Sequence, residues 1–204
     1  MPSATFLKLP AEKREKLLEA AAREFAQRPY NEASINQIVK DAAISRGSFY
    51  MYFQDKEELF RYVLRQDLDQ LTGVLESLLQ ARNGDIFAAL PDLYDFLRGP
   101  ELPKRGQLGL LDAIFRQNRG MQRSGVLELL APGEFLGRLA DSVDASLLDA
   151  RSREEVCEML SLLLSVVMPV LYRDPESDDR QRLDRILGIL YRGMGAKTAV
   201  PQVG

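Results

Sequence analysis

Apolar residues recur along this chain at steps of three and four, and no stretch alternates apolar with polar for long. That spacing marks helix faces and predicts an all-α protein. A first face runs through Leu18, Ala21, Ala22 and Phe25. Pro10 suits the first turn of that helix, and Pro29 ends it near Arg28. Ile35, Ile38, Val39 and Ala42 form a second face of about two turns. A third helix is expected from Arg46 to Tyr52. A fourth runs from Lys56 to about Gln80 along Leu64, Leu68, Leu71, Leu75 and Leu78. "RNGD" (82–85) breaks that helix. Further helices are expected over 85–98, kinked or restarted at Pro91, over 107–120 and over 126–131. Another starts at Pro132 and carries Phe135, Leu136, Leu139, Val143 and Leu147. The last two span 153–172 and 178–195.

The stretch from Ser34 to Phe60 is dense in helix starts. Ser34 with Gln37 has capping-box spacing, Ser45 is a favourable N-cap, and Asp55 with Glu58 repeats the box. The two helices between these caps are too short to stand alone, so they must pack together with the first helix as a small trihelical unit.

Within 46–52, Phe49 and Phe53 are four apart and point to one side. Gly47 and Met51 fall on the other, flanked by Ser48 and Tyr50. Glycine inside a helix costs about 1 kcal/mol against alanine. Bare backbone at the centre of an exposed face admits a close approach, and a DNA major groove admits one helix. Arg46 at the positive end of this helix, the hydroxyls of Tyr50 and Tyr52, and Lys56 at the next helix start all suit phosphate oxygens.

Composition narrows the choice. With 204 residues, 46% hydrophobic and 28% charged, the chain suits one large globular domain or two small ones. The net charge is −3, but the first 56 residues hold 9 Lys and Arg against 7 Asp and Glu, whereas the remainder holds 18 against 23. The basic part is therefore the part with the short helices. Histidine is absent, which removes Ser-His-Asp and Cys-His nucleophilic sites and histidine-ligated metals. No glycine-rich phosphate loop is present, so no cofactor or metal is expected. The single cysteine, Cys157, permits no intrachain disulfide. It reads as a small buried hydrophobe and suits a reducing, cytoplasmic setting. No N-terminal run resembles a signal peptide. The most apolar stretch, Met159 to Tyr172, is shorter than the ~20 residues of a membrane span.

The block from about Pro10 to Phe60 resembles the N-terminal helix-turn-helix of the TetR family of transcriptional regulators. The spaced pattern is Ser45, Gly47, Tyr50, Phe53, Lys56 and Leu59. The resemblance implies a helix-turn-helix DNA-binding headpiece over 1–55 and a larger helical effector-binding and dimerisation domain over 56–204. It implies DNA contacts by Ser34, Arg46, Gly47, Ser48, Tyr50, Tyr52 and Lys56. Met51 would touch a thymine methyl or cover sugar. One position departs from the family: Ala43 stands where a turn glycine is common. If that turn needs positive φ, alanine is strained there by about 1 kcal/mol.

The last two helices are apolar on more than one side. Val156, Leu160, Leu163 and Val167, with Leu183, Ile186, Leu187, Leu190 and Met194, make stripes assigned to a two-fold interface with a second copy. The family builds a four-helix dimer bundle from the corresponding helices. It also implies a small apolar or amphipathic effector, for which Phe87, Tyr94, Phe96, Phe115, Met121, Phe135 and Met168 are candidate lining residues. The expectation is a homodimeric repressor released from a palindromic double-stranded operator by that effector. A helical protein-interaction module is the alternative, and an enzyme working through carboxylates is a weaker one.

Overall fold

The computed structural model describes residues 2–99, 134–172 and 179–196. Its helices are α1 (Ala4–Leu7), α2 (Ala11–Gln27), α3 (Ile35–Asp41), α4 (Arg46–Tyr52), α5 (Lys56–Ala81), α6 (Ile86–Arg98), α7 (Glu134–Ser142), α8 (Arg153–Leu171) and α9 (Arg180–Met194). A single 3-10 turn, Ala145–Leu147, follows α7, so Leu147 does not extend that helix as its spacing predicts. Among the described residues the only extended pairing is one antiparallel bridge, Leu148 with Gly195. The helices expected over 107–120 and 126–131 lie outside the described residues. No helix among the described residues is long and apolar enough to cross a membrane. The described residues form two compact units, one over 2–71 and the other over 72–99, 134–172 and 179–196. Helix α5 runs through the boundary, and at 1.5 Å per residue it is about 39 Å long.

In the first unit α2 packs on α3, α3 on α4, and α1 on α4. The core holds Leu17, Ala20, Ala21, Phe25, Ile38, Phe49, Phe53 and Leu59. The buried face of α2 is thus centred one residue earlier than its spacing predicts, and it includes Glu24, which reads as a polar position. Glu24 is buried because its carboxylate is used: Oε1 accepts the Ser34 N–H at 2.9 Å. This replaces the capping box expected at Ser34. The Ser34 side chain makes no cap bond, and Gln37 donates instead to Asp41. At α5 half of the expected box forms: Asp55 Oδ1 accepts the Glu58 N–H at 2.8 Å, but Glu58 Oε2 accepts the Gln54 N–H at 2.7 Å, one residue ahead of the cap.

Helix α1 is absent from the sequence reading. Phe6 is fully buried there, its ring 4.8 Å from Phe53 and 5.5 Å from Tyr62 between centroids. One aromatic in a four-residue helix sets up no periodicity, so nothing in the pattern announces it.

Helix α3 ends in a Schellman arrangement: the Ile44 N–H reaches Val39 O at 3.0 Å and the Ala43 N–H reaches Lys40 O at 3.1 Å. Such an ending needs a left-handed residue, and Ala43 takes φ +55. The same ending closes α5, with Asn83 at φ +52 and the Gly84 N–H on Leu79 O at 2.8 Å. The buried stripe of α5 accordingly passes through Leu75 to Leu79 and leaves Leu78 half-buried.

In the second unit α8 packs against α7, α9 and α6, and α9 against α6. Here the expected dimer stripe is corrected in part. Val156, Leu160, Leu163, Val167, Leu183 and Leu187 are buried within the single chain, and Ile186, Leu190 and Met194 are half-buried. The fuller stripe of α8 faces the chain's own helices because three of them surround it. The apolar residues left outside are Leu162 and Ile189, each 60% exposed, with Val166 and Tyr191. Gly84 belongs to this unit as well: its φ is +79, and a Cβ there would lie 2.5 Å from the Asp144 backbone nitrogen. The two chains of atoms meet because the Asp144 N–H donates to Gly84 O at 3.0 Å.

Candidate nucleic-acid interface

Helix α4 is seven residues long, and both its ends are tied. At its start Ser45 Oγ accepts the Ser48 N–H at 3.0 Å, as the sequence predicts. At its end Ser3 Oγ donates to Met51 O at 2.6 Å and the Ser3 N–H donates to Tyr52 O at 2.9 Å. These two bonds satisfy carbonyls that a helix terminus otherwise leaves to water. On the inner side Phe49 and Phe53 are buried.

On the outer side Gly47 is exposed, Tyr50 is 48% exposed and Met51 is 59% exposed. A Cβ added to Gly47 would meet nothing within the chain closer than Ser45 Oγ, at 3.7 Å. Among the described residues, nothing in the packing therefore requires glycine at 47. A bare backbone there makes sense for a body arriving from outside.

The remaining predicted residues are placed as follows. Arg46 is exposed and held: Nη1 donates to Asn36 Oδ1 at 2.8 Å and Nη2 to Tyr50 Oη at 3.4 Å. Ser48 is half-buried and its hydroxyl lies 2.8 Å from that of Ser45. Tyr52 is half-buried with its ring 6.1 Å from Phe6. Ser34 is half-buried at the start of α3. Lys56 is engaged inside the unit: Nζ donates to Tyr30 O at 2.7 Å, Ala33 O at 2.9 Å and Asn31 O at 3.4 Å, and it lies 4.7 Å from the Tyr30 ring centroid. An ammonium has three donors, and three carbonyls accept them here. Burial, and then the carboxylates of Glu57 and Asp55, push the Tyr30 hydroxyl above its ordinary range.

Sequence reasoning missed Asn36, Ser3 and Glu24, which hold Arg46, the tip of α4 and the start of α3. Their partners lie 10 or 48 positions away in the chain, beyond any local pattern.

Of the residues read as effector lining, Tyr94 and Met168 are buried and Phe87, Phe96 and Phe135 half-buried; Phe115 and Met121 lie outside the described residues. Arg98 stacks on Tyr94 at 3.7 Å and Phe87 meets Tyr191 edge-on at 5.2 Å. Two open clefts, one of about 630 Å³ between Pro2 and residues 54–65 and one beside Gly73 and Ser142, involve none of them. Among the described residues no cluster of three Cys, Asp or Glu is placed to hold a metal.

A 17-residue helix followed by two of seven residues, a positive-φ turn between those two, and an outward-facing bare backbone on the last define a helix-turn-helix headpiece. Comparison with known proteins agrees. Residues 17–63 match the family described as bacterial regulatory proteins, tetR family. The chain is 41% identical over 68 residues to the uncharacterized HTH-type transcriptional regulator YdgC of Bacillus subtilis, spanning 33% of this chain and 35% of that one. It is 28% identical over 189 residues to the HTH-type transcriptional repressor AcnR of Corynebacterium diphtheriae, covering 87% of this chain and 89% of the relative. In fold it is similar to RolR, solved with the ligand resorcinol, at TM-score 0.57 and 18% identity over 92% of this chain and 90% of that one. Residues 17–63 are thus similar to the helix-turn-helix headpiece of the tetR family, and over most of its length the chain is similar to a named transcriptional repressor.

Proposed function

We propose that the chain is a repressor that binds a palindromic operator as a homodimer and leaves it when a small apolar or amphipathic molecule binds. Residues 1–55 read DNA, and residues 56–204 pair the subunits and receive the effector. The observation that carries the reading is the outer face of α4, where Gly47 is bare and no described residue requires it to be glycine. Tyr50, Met51 and Ser48 surround the bare spot and enter the major groove, with Arg46 beside them. Ser34 and Tyr52 reach sugar and phosphate from the flanks. Lys56 serves by holding the turn that carries Ser34.

The dimer forms through the apolar residues left outside α8 and α9, namely Leu162, Val166 and Ile189. It sets two α4 helices about 34–36 Å apart, one helical turn of DNA. Phe87, Phe96 and Phe135, which are half-buried, have surface left for an effector. That molecule acts only if it binds the state with the wrong headpiece spacing more tightly. AcnR is named a repressor and RolR holds a small aromatic ligand; both facts concern those proteins and fit the class proposed here. The site of action is the cytoplasm, where the chromosome is.

The test is selection of duplexes from a random pool, then titration of the enriched duplex. Tyr50→Ala is expected to weaken binding while dimer mass and helix content stay unchanged. Affinity should fall steeply between 50 and 200 mM salt. No enriched duplex, or a flat salt response, overturns the reading.

A further inference from the structure

We infer that Asn36, on α3, is a positioning residue that sets which base pairs Arg46 prefers; this rests on the DNA reading above. Arg46 stands at the first position of α4, and Asn36 at the second position of α3. The two are ten residues apart in the chain, yet Arg46 Nη1 donates to Asn36 Oδ1 at 2.8 Å. From the other side Tyr50 Oη lies 3.4 Å from Nη2, and the guanidinium carbon is 5.8 Å from the Tyr50 ring centroid. Guanidinium carries five N–H donors in a fixed plane. Two fixed partners on different helices restrict the orientation of that plane and leave three donors to present outward.

All three residues are exposed. An exposed arginine without such partners wanders among many rotamers and loses that freedom on binding. One held at both ends meets a base edge in a defined pose, which is what a bidentate contact to guanine demands. Asn36 therefore acts through Arg46, and its influence falls on the base pairs Arg46 faces. A residue that merely stabilised α3 would weaken all duplexes alike.

The experiment uses full-length protein and a random-sequence duplex pool, with sequencing of the bound fraction. Wild type, Asn36→Ala, Asn36→Asp, Arg46→Ala and the Asn36→Ala/Arg46→Ala double variant are compared. Thermal melting checks that each is folded. Arg46→Ala is expected to erase a preference of about ten-fold or more at one or two adjacent positions of each half-site. Asn36→Ala is expected to reduce preference at the same positions by about three- to ten-fold and to leave the others unchanged. In the Arg46→Ala background it should change nothing further. Asn36→Asp keeps the acceptor oxygen, so it should retain the preference while lowering affinity for every duplex through its added negative charge.

A uniform loss of affinity in Asn36→Ala with an unchanged profile overturns the inference. So does a change at positions other than those of Arg46, or an Arg46→Ala profile identical to wild type. Failure of the wild type to enrich any sequence removes the DNA reading itself, and the inference with it, and is recognisable because it precedes every variant.

Discussion

Replacing Ala43 by glycine should make the headpiece more stable, and the size of the gain can be worked out. Ala43 sits at φ +55, in the left-handed region, to close α3. A residue with a Cβ pays about 1–2 kcal/mol there. Its side chain is exposed, so deleting the methyl removes no packing. Against this stands the extra freedom glycine gives the unfolded chain, about 0.4–1 kcal/mol. The balance is a gain of about 0.5–1 kcal/mol. Because the chain holds two units, a global melt would blur the effect. Native-state amide exchange read at Ile38, Val39 and Phe49 isolates it. Those amides should exchange about two- to five-fold more slowly in Ala43→Gly, if they open with the unit as a whole. Ala43→Val should shift them the other way, since a β-branched side chain fits that region worse. Unchanged or faster exchange in Ala43→Gly would refute the claim that alanine is strained at this turn.

Three further outcomes are expected. Gly84→Ala should destabilise the second unit by about 2–4 kcal/mol, since the new Cβ would lie 2.5 Å from the Asp144 nitrogen at a φ of +79; a thermal melt by circular dichroism reads this, and an unshifted midpoint refutes it. Phe6→Ala should cost the first unit about 3–4 kcal/mol and weaken DNA binding, because the buried ring anchors the segment that ties the tip of α4; a normal urea midpoint for the headpiece contradicts this. Lys56→Met should loosen the turn before α3 by about 1–3 kcal/mol, seen as faster exchange at Ala33 and Ser34, and should leave the salt dependence of DNA binding nearly intact, whereas a slope lower by about one unit would mean that the ammonium contacts phosphate after all.

The helical class and the site helix were legible because they depend on local chemistry. Ser45 caps α4, and Phe49 with Phe53 fixes which side faces in, so the exposed face follows from spacing alone. The bounds of α5 follow from Asp55 and from the break at Asn83 and Gly84. Periodicity, however, groups residues on a face without saying what the face meets. Spacing therefore assigns Val156, Leu160, Leu163 and Val167 to a second copy, whereas they face the chain's own helices. Ser34 looked capped from its own sequence, but a carboxylate ten residues earlier does that work. The Arg46–Asn36 pair and the Ser3 contacts are tertiary, and no window along the chain contains both partners.

The attachment of Ser3 to the last carbonyls of α4 bears on how the protein is handled. A purification tag fused ahead of Pro2 would join the chain next to those contacts, and its bulk would tug at the reading head. Weak or irregular promoter occupancy by such a fusion would reflect the tag. Cleavage of the tag before assay removes that pull.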